Sequence, residues 1–256
     1  MSNSLDCSKT AVIAPLGMSP PVITAFVKAL GGVRDVVVLT TDNPTVKQGF
    51  ELVRIALKLN YPRVRVHERK LPFEDVTTTD ENFQFMGIAA RIIREQREKY
   101  GSAKVYLNVS GGRKNMGVTL SLLGQLMGVD GVFHVVTRDI RVVNTQLESL
   151  RVEIEKIYRA ESEEEKIRVY RERERSFNSL MFPDVEVVRI PTIPFPKYYV
   201  EKVVKVLYAE SFEELTPSEL EALLSHGLVE KAGRKYRTTE FGKKLAEVLL
   251  TGKLRG

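Results

Sequence analysis

The residues of this chain that are best suited to chemistry stand where an apolar segment gives way to a helical one. From Leu107 to Gly128 the sequence reads LNVSGGRKNMGVTLSLLGQLMG. An apolar strand stops at a Ser-Gly-Gly turn, and two cations, Arg113 and Lys114, follow where a helix begins. Cations are mildly unfavourable at a helix N-terminus, which already carries partial positive charge. We therefore expect this turn to bind an anion, because glycines let backbone amides approach it and the cations neutralise it.

A second strand-turn-helix junction occurs near the beginning of the chain. The sequence APLGMSPPVITAF places Gly17 in a tight turn and Ser19 before two prolines. Proline suits the first helical position, so Ser19 is predicted to be the N-cap, with its hydroxyl at the helix mouth. If the first and fourth strands are neighbours, both junctions open into one crevice at the carboxyl ends of the strands. Two helix N-termini at one crevice favour a phosphate.

Common nucleotide-binding motifs are absent from both junctions. No G-x-x-x-x-G-K-[ST] sequence occurs, and PLGMSPP has one glycine where the dinucleotide fingerprint needs three. ATP and NAD are therefore poor candidates, and no cofactor is expected. The single cysteine, Cys7, excludes a disulfide framework and a multi-cysteine zinc site, and no metal site is predicted.

The charge distribution suggests an anionic partner for the N-terminal part of the chain. The net charge is +6, and residues 1–150 contain 19 Lys and Arg against 14 Asp and Glu. Scattered solubilising charge is the alternative explanation for this excess. The start MSNSLDCSKT lacks the basic and apolar regions of a signal peptide, and no apolar run reaches membrane-spanning length. We therefore expect a cytoplasmic protein with no membrane partner.

Alternating segments predict an α/β fold for the first part of the chain. Five β-rich segments read TAVIAPL, DVVVLTT, RVRVHE, KVYLNVS and GVFHVVT, and helix-like segments lie between them. This alternation predicts βαβ units and a Rossmann-like, mainly parallel sheet. His134, in the last of these segments, is interpreted as a packed strand histidine rather than a general base.

The composition changes twice beyond this region. LESLRVEIEKIYRAESEEEKIRVYRERERS is dense in charge and predicts an exposed helical connector broken near Ser162, and FPDVEVVRIPTIPFP predicts an extended linker. The last part resembles a winged helix, with a helix starting at Thr216 and two strands turning at Gly233. An amphipathic first helix, KYYVEKVVKVLYAE, is followed by only one clear helix before the wing. A full unit has two helices between its first helix and the wing, so a reduced winged-helix-like α+β domain is expected. The predicted domains are residues 1–146, 147–195 and 196–256.

The two junctions resemble a known family. A strand ending PLG-x-SP and a later one ending SGGRKNM are similar to the CRISPR-associated Rossmann-fold (CARF) domains of type III CRISPR systems, over residues 10–140. The resemblance implies a homodimer that binds a cyclic oligoadenylate across its two-fold axis. The resemblance to the ring nucleases of this family implies two catalytic residues. Ser19 would contact the attacking ribose or the scissile phosphate, and Lys114 would neutralise the charge that develops on the phosphate. The ligand-binding residues that it implies are Gly17, Met18, Ser110, Gly111, Gly112, Arg113 and Asn115.

Two CARF subfamilies fit the chain: ring nucleases and CARF–winged-helix transcriptional regulators. No histidine completes the R-x-x-x-x-H motif of HEPN ribonucleases, and Glu186 lacks the following lysine of PD-(D/E)xK nucleases. A ring nuclease would cleave its ligand without metal to a linear product ending in a 2′,3′-cyclic phosphate. Four helix N-termini per dimer match the four phosphates of cyclic tetra-adenylate better than the six of the hexamer.

The alternative is a CARF–winged-helix transcriptional regulator that senses the ligand and binds DNA. A dimerisation or lid role for the C-terminal domain is favoured over DNA binding, because the domain lacks a full reading unit. The basic residues that would contact DNA phosphates are Lys231, Arg234, Lys235, Arg237, Lys243 and Lys244.

Overall fold

Strands and helices alternate through most of the chain, of which this computed structural model describes residues 9–251. Cys7 lies outside the described residues. Within residues 9–251, no helix combines the length and apolar character needed to cross a bilayer. The elements are β1 (Thr10–Pro15), α1 (Pro21–Leu30), β2 (Val33–Thr40), α2 (Pro44–Asn60), β3 (Arg65–Lys70), α3 (Thr79–Arg94), β4 (Lys104–Asn108), α4 (Lys114–Leu126), β5 (Gly131–Thr137), α5 (Ile140–Ser149), α6 (Arg151–Arg159), α7 (Glu163–Glu172), α8 (Glu174–Met181), β6 (Val185–Ile190), α9 (Lys197–Ala209), α10 (Pro217–Ser225), β7 (Val229–Ala232), β8 (Lys235–Thr238) and α11 (Glu240–Thr251).

A six-stranded sheet forms the centre of the fold, in the order β3-β2-β1-β4-β5-β6. The first five strands are parallel, as the βαβ pattern predicts. Helices cover both faces of the sheet: α1 and α2 pack on one side, and α3 and α4 on the other. The predicted Rossmann-like α/β fold is therefore confirmed. The strand order reverses between β1 and β4, which is where doubly wound folds bind ligands.

The sixth strand corrects the prediction of an extended linker. Residues Val185–Ile190 form β6, which pairs antiparallel with β5 at the edge of the sheet. Val185 and Val187 pack on the core while Glu186 is exposed, which is the period-two pattern of an edge strand. Nearby prolines suggested a linker, but proline is tolerated beside an edge strand because it interrupts no ladder there.

His134 is exposed, so its interpretation as a packed strand histidine was wrong. It lies on β5 opposite Val188 of β6. The Val188 side chain is also exposed, so helices leave this end of the face open, whereas Val132 on the same face is buried in the core with α4.

The charged connector is less exposed than predicted. It forms α6, α7 and α8, and the predicted break near Ser162 is confirmed, because the Ser162 hydroxyl caps α7 by accepting from Glu165 N. The inner side of these helices, including Ile157 and Tyr170, is buried in the same core as α1 and α2. Arginine and glutamate between the apolar positions hide this burial in the sequence, since they point outward from the opposite side of each helix.

The C-terminal unit has the predicted wing. β7 and β8 pair antiparallel and turn at Gly233, whose φ is +66°. The Thr216 capping box of α10 is present, and α10 is the single α-helix between α9 and the wing. The unit docks on α3 through α11, because Arg94 donates to the carbonyl oxygens of Val248 (3.0 Å) and Leu250 (2.9 Å) at the end of that helix.

One ion-pair network makes the fold sensitive to acid. The carboxylate of Glu163 on α7 accepts from Arg54 (2.7 and 2.8 Å) and Lys58 (2.8 Å) on α2. These hydrogen bonds, that from Arg54 above all, lower the pKa of Glu163 from its ordinary 4.5 to about 2. A carboxyl whose pKa is lowered by folding stabilises the folded state above its unfolded pKa, and that contribution is lost as the pH falls.

We therefore expect Glu163→Gln to lower the melting temperature at pH 7, and the difference from the unsubstituted protein to shrink as the pH falls from about 4.5 to about 2. Thermal unfolding followed across this range measures it. Glu164→Gln, one residue away at an exposed position outside the described ion pairs, is the matched control and should have little effect. A constant difference at every pH would contradict the assigned pair.

Candidate functional site

The first and fourth strands are neighbours, which is the condition under which both junctions open into one crevice. β1 and β4 pair in parallel, with Ile13 opposite Leu107. The loops that follow these strands therefore leave the sheet at the same edge. This is also the point at which the strand order reverses.

The two loops are in direct contact, and glycine is what allows it. A Cβ atom on Gly17 would lie 2.8 Å from the amide nitrogen of Gly112, and one on Gly111 would lie 2.2 Å from the carbonyl oxygen of Pro15. Gly112 also has a φ of +74°, in the left-handed region that favours glycine. Side chains at these positions would push the loops apart. The Ser-Gly-Gly sequence thus packs the β4 loop against the β1 loop.

Several backbone amides at this contact have no acceptor among the described residues. Within residues 9–251, the N–H groups of Gly17, Met18, Gly111, Gly112 and Lys114 donate to no protein acceptor. Unpaired amides at the first turn of a helix and in a glycine turn form a concentration of partial positive charge. The loop contact therefore provides the donors that an anion needs.

Ser19 does not cap α1, which corrects the prediction. The N-cap position belongs to Pro20, and no side chain caps the helix. A capping hydroxyl accepts from the second or third helical N–H, but Pro21 has none and Val22 N donates to the carbonyl oxygen of Ser19 (3.4 Å). The Ser19 Oγ is buried without a hydrogen-bond partner among the described residues. A buried, unpaired hydroxyl costs stability, and the hydrogen-bonding capacity of this one is unused by the described residues.

The two cations of the β4 loop have different environments. Arg113 pairs with Asp75, its Nε lying 2.8 Å from Oδ1, and its Nη2 donates to the other carboxylate oxygen. The hydrogen bond from Arg113 lowers the pKa of Asp75, and Asp75 raises the pKa of Arg113. Lys114 is exposed and takes part in no ion pair within residues 9–251. Lys114 is thus the uncompensated charge of the loop.

Asp75 and Asn108 organise the site, and neither was among the residues predicted from the sequence. The buried Asn108 donates to the carbonyl oxygen of Val22 (3.0 Å) and accepts from the Ser110 hydroxyl (2.6 Å), so it joins the β4 loop to α1. Asp75 reaches the site from the loop between β3 and α3. The one feature of the sequence that could have indicated Asn108 is its position at the end of an apolar strand. No feature of the neighbouring sequence indicates that Asp75 belongs to the site.

The remaining predicted ligand-binding residues lie around the same loops. The Ser110 hydroxyl is engaged by Asn108 and by the amide of Val135, at 2.6 Å each, so it supports the loop. Asn115 donates to the carbonyl oxygen of Val76 (2.9 Å), which ties the start of α4 to the loop between β3 and α3. Met18 is 66% exposed at the rim of the β1 loop.

Comparison with protein families and with curated proteins relates this chain to CRISPR systems. The family model described as CRISPR-associated protein NE0113 matches residues 19–224. A CRISPR system ring nuclease (SSO2081) of Saccharolobus solfataricus is 32% identical over 136 residues, which cover 50% of this chain and 72% of that relative.

Two solved structures are similar over most of this chain. Csm6 of Enterococcus italicus, bound to cyclic hexa-2′-fluoro-hexa-dAMP, has a TM-score of 0.48 and 14% identity, covering 94% of this chain and 54% of the other. Can2 of Sulfobacillus thermosulfidooxidans, in complex with cyclic tetra-adenylate, has a TM-score of 0.36 and 15% identity, covering 94% and 63%. The chain spans less than two thirds of either structure.

Proposed function

The chain belongs to the family of CRISPR-associated protein NE0113, and on this premise we propose that it is a ring nuclease acting on cyclic oligoadenylate. It binds the ring, with cyclic tetra-adenylate favoured, cleaves it without metal to linear products ending in a 2′,3′-cyclic phosphate, and so switches off type III CRISPR signalling. The observation that carries this proposal is the contact of the β1 and β4 loops, which brings unpaired amides and the free Lys114 to one edge. The similarity to a ring nuclease supports it.

The proposed reaction needs little from the protein besides geometry and charge. The ribose 2′-oxygen forms a bond to the phosphorus of its own 3′-phosphodiester, and the bond from that phosphorus to the next 5′-oxygen breaks. The 2′-hydroxyl loses a proton and the leaving 5′-oxygen gains one, so no water is consumed. Holding the three atoms in line lowers the entropic part of the barrier, and donors around the phosphate stabilise the added charge.

The site residues divide these tasks. The Ser19 Oγ is buried and unpaired within residues 9–251. In this proposal a shift of the β1 loop on ligand binding exposes it, and it then contacts the attacking ribose or the scissile phosphate and holds it in line. Lys114 neutralises the charge that develops on the phosphorane, and the amides of Gly17, Gly111 and Gly112 bind non-bridging oxygens. Arg113 binds a phosphate when the ligand competes with Asp75 for its guanidinium.

A second copy of the chain completes the site in this proposal. Each chain provides two helix N-termini at the crevice, so a two-fold dimer provides four for the four phosphates of cyclic tetra-adenylate. Val118 and Leu122, one turn apart on α4, are 71% and 42% exposed. We assign this apolar face to the dimer contact, because it would bring the two helices that begin at Lys114 side by side.

The alternative is a transcriptional regulator that senses the ring and binds DNA through the wing. Three of the six basic residues assigned to DNA form ion pairs within the chain, namely Arg237 with Glu230, Lys243 with Glu210 and Lys244 with Asp80. That leaves Lys231, Arg234 and Lys235 for phosphate contacts. We therefore expect weak, salt-sensitive binding to duplex DNA. Nanomolar, sequence-specific binding at physiological salt would favour the regulator.

Incubation with labelled rings tests the proposed function. Cyclic tetra-adenylate should be converted to linear product within hours at the working temperature of the protein, and cyclic hexa-adenylate more slowly. Chromatographic separation of ring from linear product measures both. Binding of the tetra-adenylate without any loss of the ring would instead favour a sensor.

A further inference from the structure

A depression of about 510 Å³ opens beside the anion-binding loops and is lined by four parts of the fold. The β1 loop contributes Gly17 and Met18, the segment after β2 contributes Thr41 and Asn43, and the loop before α3 contributes Glu74. Gly112 and Arg113 of the β4 loop complete the wall. Its volume lies within the range of small-molecule pockets, roughly 300–1,000 Å³.

Two polar side chains in this pocket have hydrogen-bonding capacity that the protein does not use. Thr41 is 8% exposed, and its hydroxyl has no partner among the described residues. Asn43 caps α2: its Oδ1 accepts from Thr45 N (2.9 Å) and Val46 N (3.4 Å). Because the oxygen is occupied in this way, the side-chain NH₂ is the group that Asn43 offers to a ligand, and its orientation is set by the cap.

The acidic residues of the pocket argue against a second phosphate. Asp75 is occupied by Arg113, but Glu74 is exposed and forms no ion pair within residues 9–251. An ionised carboxylate only accepts hydrogen bonds, so it repels anions and attracts N–H groups. The pocket therefore offers an amide donor, a hydroxyl and a carboxylate acceptor to one neutral ligand.

Apolar groups form the rest of the wall. Leu16, Val46 and Met116 are 1%, 5% and 1% exposed. Met18, at the rim, is 66% exposed. Methionine sulfur makes favourable contacts with aromatic rings, and its unbranched side chain adapts to their shape. The wall therefore suits the faces of a planar aromatic ring, while the polar groups suit its edge.

We propose that this pocket binds one purine base of the ring, and that Asn43 and Glu74 select an exocyclic amine at its edge. This assignment rests on the proposed function, since the base belongs to the same ligand whose phosphates meet the β1 and β4 loops. The Asn43 NH₂ donates to a ring nitrogen, and Glu74 accepts from the amine of adenine. A 6-oxo purine presents a carbonyl in place of the amine, and its oxygen would face the Glu74 carboxylate.

The affinities of the full chain for two rings test this proposal. The rings are cyclic tetra-adenylate and cyclic tetra-inosinate, in which each amine is replaced by a carbonyl. The unsubstituted protein should bind the adenylate ring at least about tenfold more tightly, because the inosinate carbonyl replaces a donor by an acceptor facing the Glu74 carboxylate, which only accepts. Glu74→Gln should reduce this preference, since an amide can also donate. Asn43→Ser should lower the affinity for both rings, because it removes the side-chain NH₂ donor while serine can still cap α2.

Matched variants separate recognition from folding. Thr216→Ser exchanges one N-cap residue for another on α10, and Glu213→Gln changes an exposed carboxylate of the C-terminal unit, so neither should alter the preference. A preference for adenylate that collapses only in Glu74→Gln, at unchanged melting temperature, supports the proposal. Equal affinity of the unsubstituted protein for both rings, or an unchanged preference in Glu74→Gln, would overturn it while leaving the proposed function in place. Failure to bind either ring would overturn both.

Discussion

Replacing Lys114 by alanine should abolish most ring cleavage and weaken the binding of cyclic tetra-adenylate. Lys114 stands at the first position of α4 and has no ion-pair partner within residues 9–251, so its charge is available to a phosphate. A hydrogen bond to a charged group contributes roughly 1.5–3 kcal/mol, which corresponds to about ten- to a hundredfold in affinity. The loss in rate should be larger, because the charge on the phosphate grows in the transition state.

Lys235→Ala is the matched control, since Lys235 is an exposed lysine on β8 of the wing and also forms no ion pair in the described part of the chain. It should cleave at the normal rate. Titration with labelled ring and single-turnover kinetics measure the two effects separately. A Lys114→Ala protein with normal affinity and rate would remove Lys114 from the site.

Ser19→Ala should separate binding from catalysis. The Ser19 hydroxyl forms no hydrogen bond within residues 9–251, so its removal breaks no cap. The free energy of unfolding should therefore stay the same or rise, because a buried, unpaired hydroxyl costs stability. As a group that positions the ribose or phosphate, its loss should act mainly on rate. We expect affinity within about tenfold of the unsubstituted protein and cleavage at least about tenfold slower in single-turnover assays.

Ser162→Ala provides the reciprocal control. Ser162 caps α7 through a 3.1 Å hydrogen bond from Glu165 N, far from the β1 and β4 loops in sequence. Its replacement should cost about 1 kcal/mol of stability and leave cleavage unchanged. If Ser19→Ala instead lost stability and kept its rate, Ser19 would be a structural residue.

The elements around the site were predictable because their determinants are local. Apolar strands alternating with helices gave β1 to β5, and the glycines of PLG-x-SP and SGGRKNM marked the two turns. The CRISPR-associated family that these motifs suggested is confirmed by the match over residues 19–224. The contact between the two turns requires that the first and fourth strands are neighbours. The sequence does not determine this strand order, and the structure shows it in the pairing of β1 with β4.

Other features depended on contacts between distant segments. Asp75 and Arg113 are 38 residues apart, and nothing near either residue indicates their pairing. The Ser19 cap was predicted from residue preference, but the missing N–H of Pro21 and the use of Val22 N by a backbone carbonyl leave the hydroxyl unpaired. β6 was missed because an edge strand is identified by its neighbour β5 more than by its own residues.

The most direct test of the central claim is the fate of labelled cyclic tetra-adenylate in the presence of excess EDTA. The ring should disappear at the same rate with and without the chelator, and mass spectrometry should identify linear fragments ending in a 2′,3′-cyclic phosphate. A ring that stays intact over hours at the working temperature, or one that is cleaved only when a divalent metal is restored, would contradict that claim.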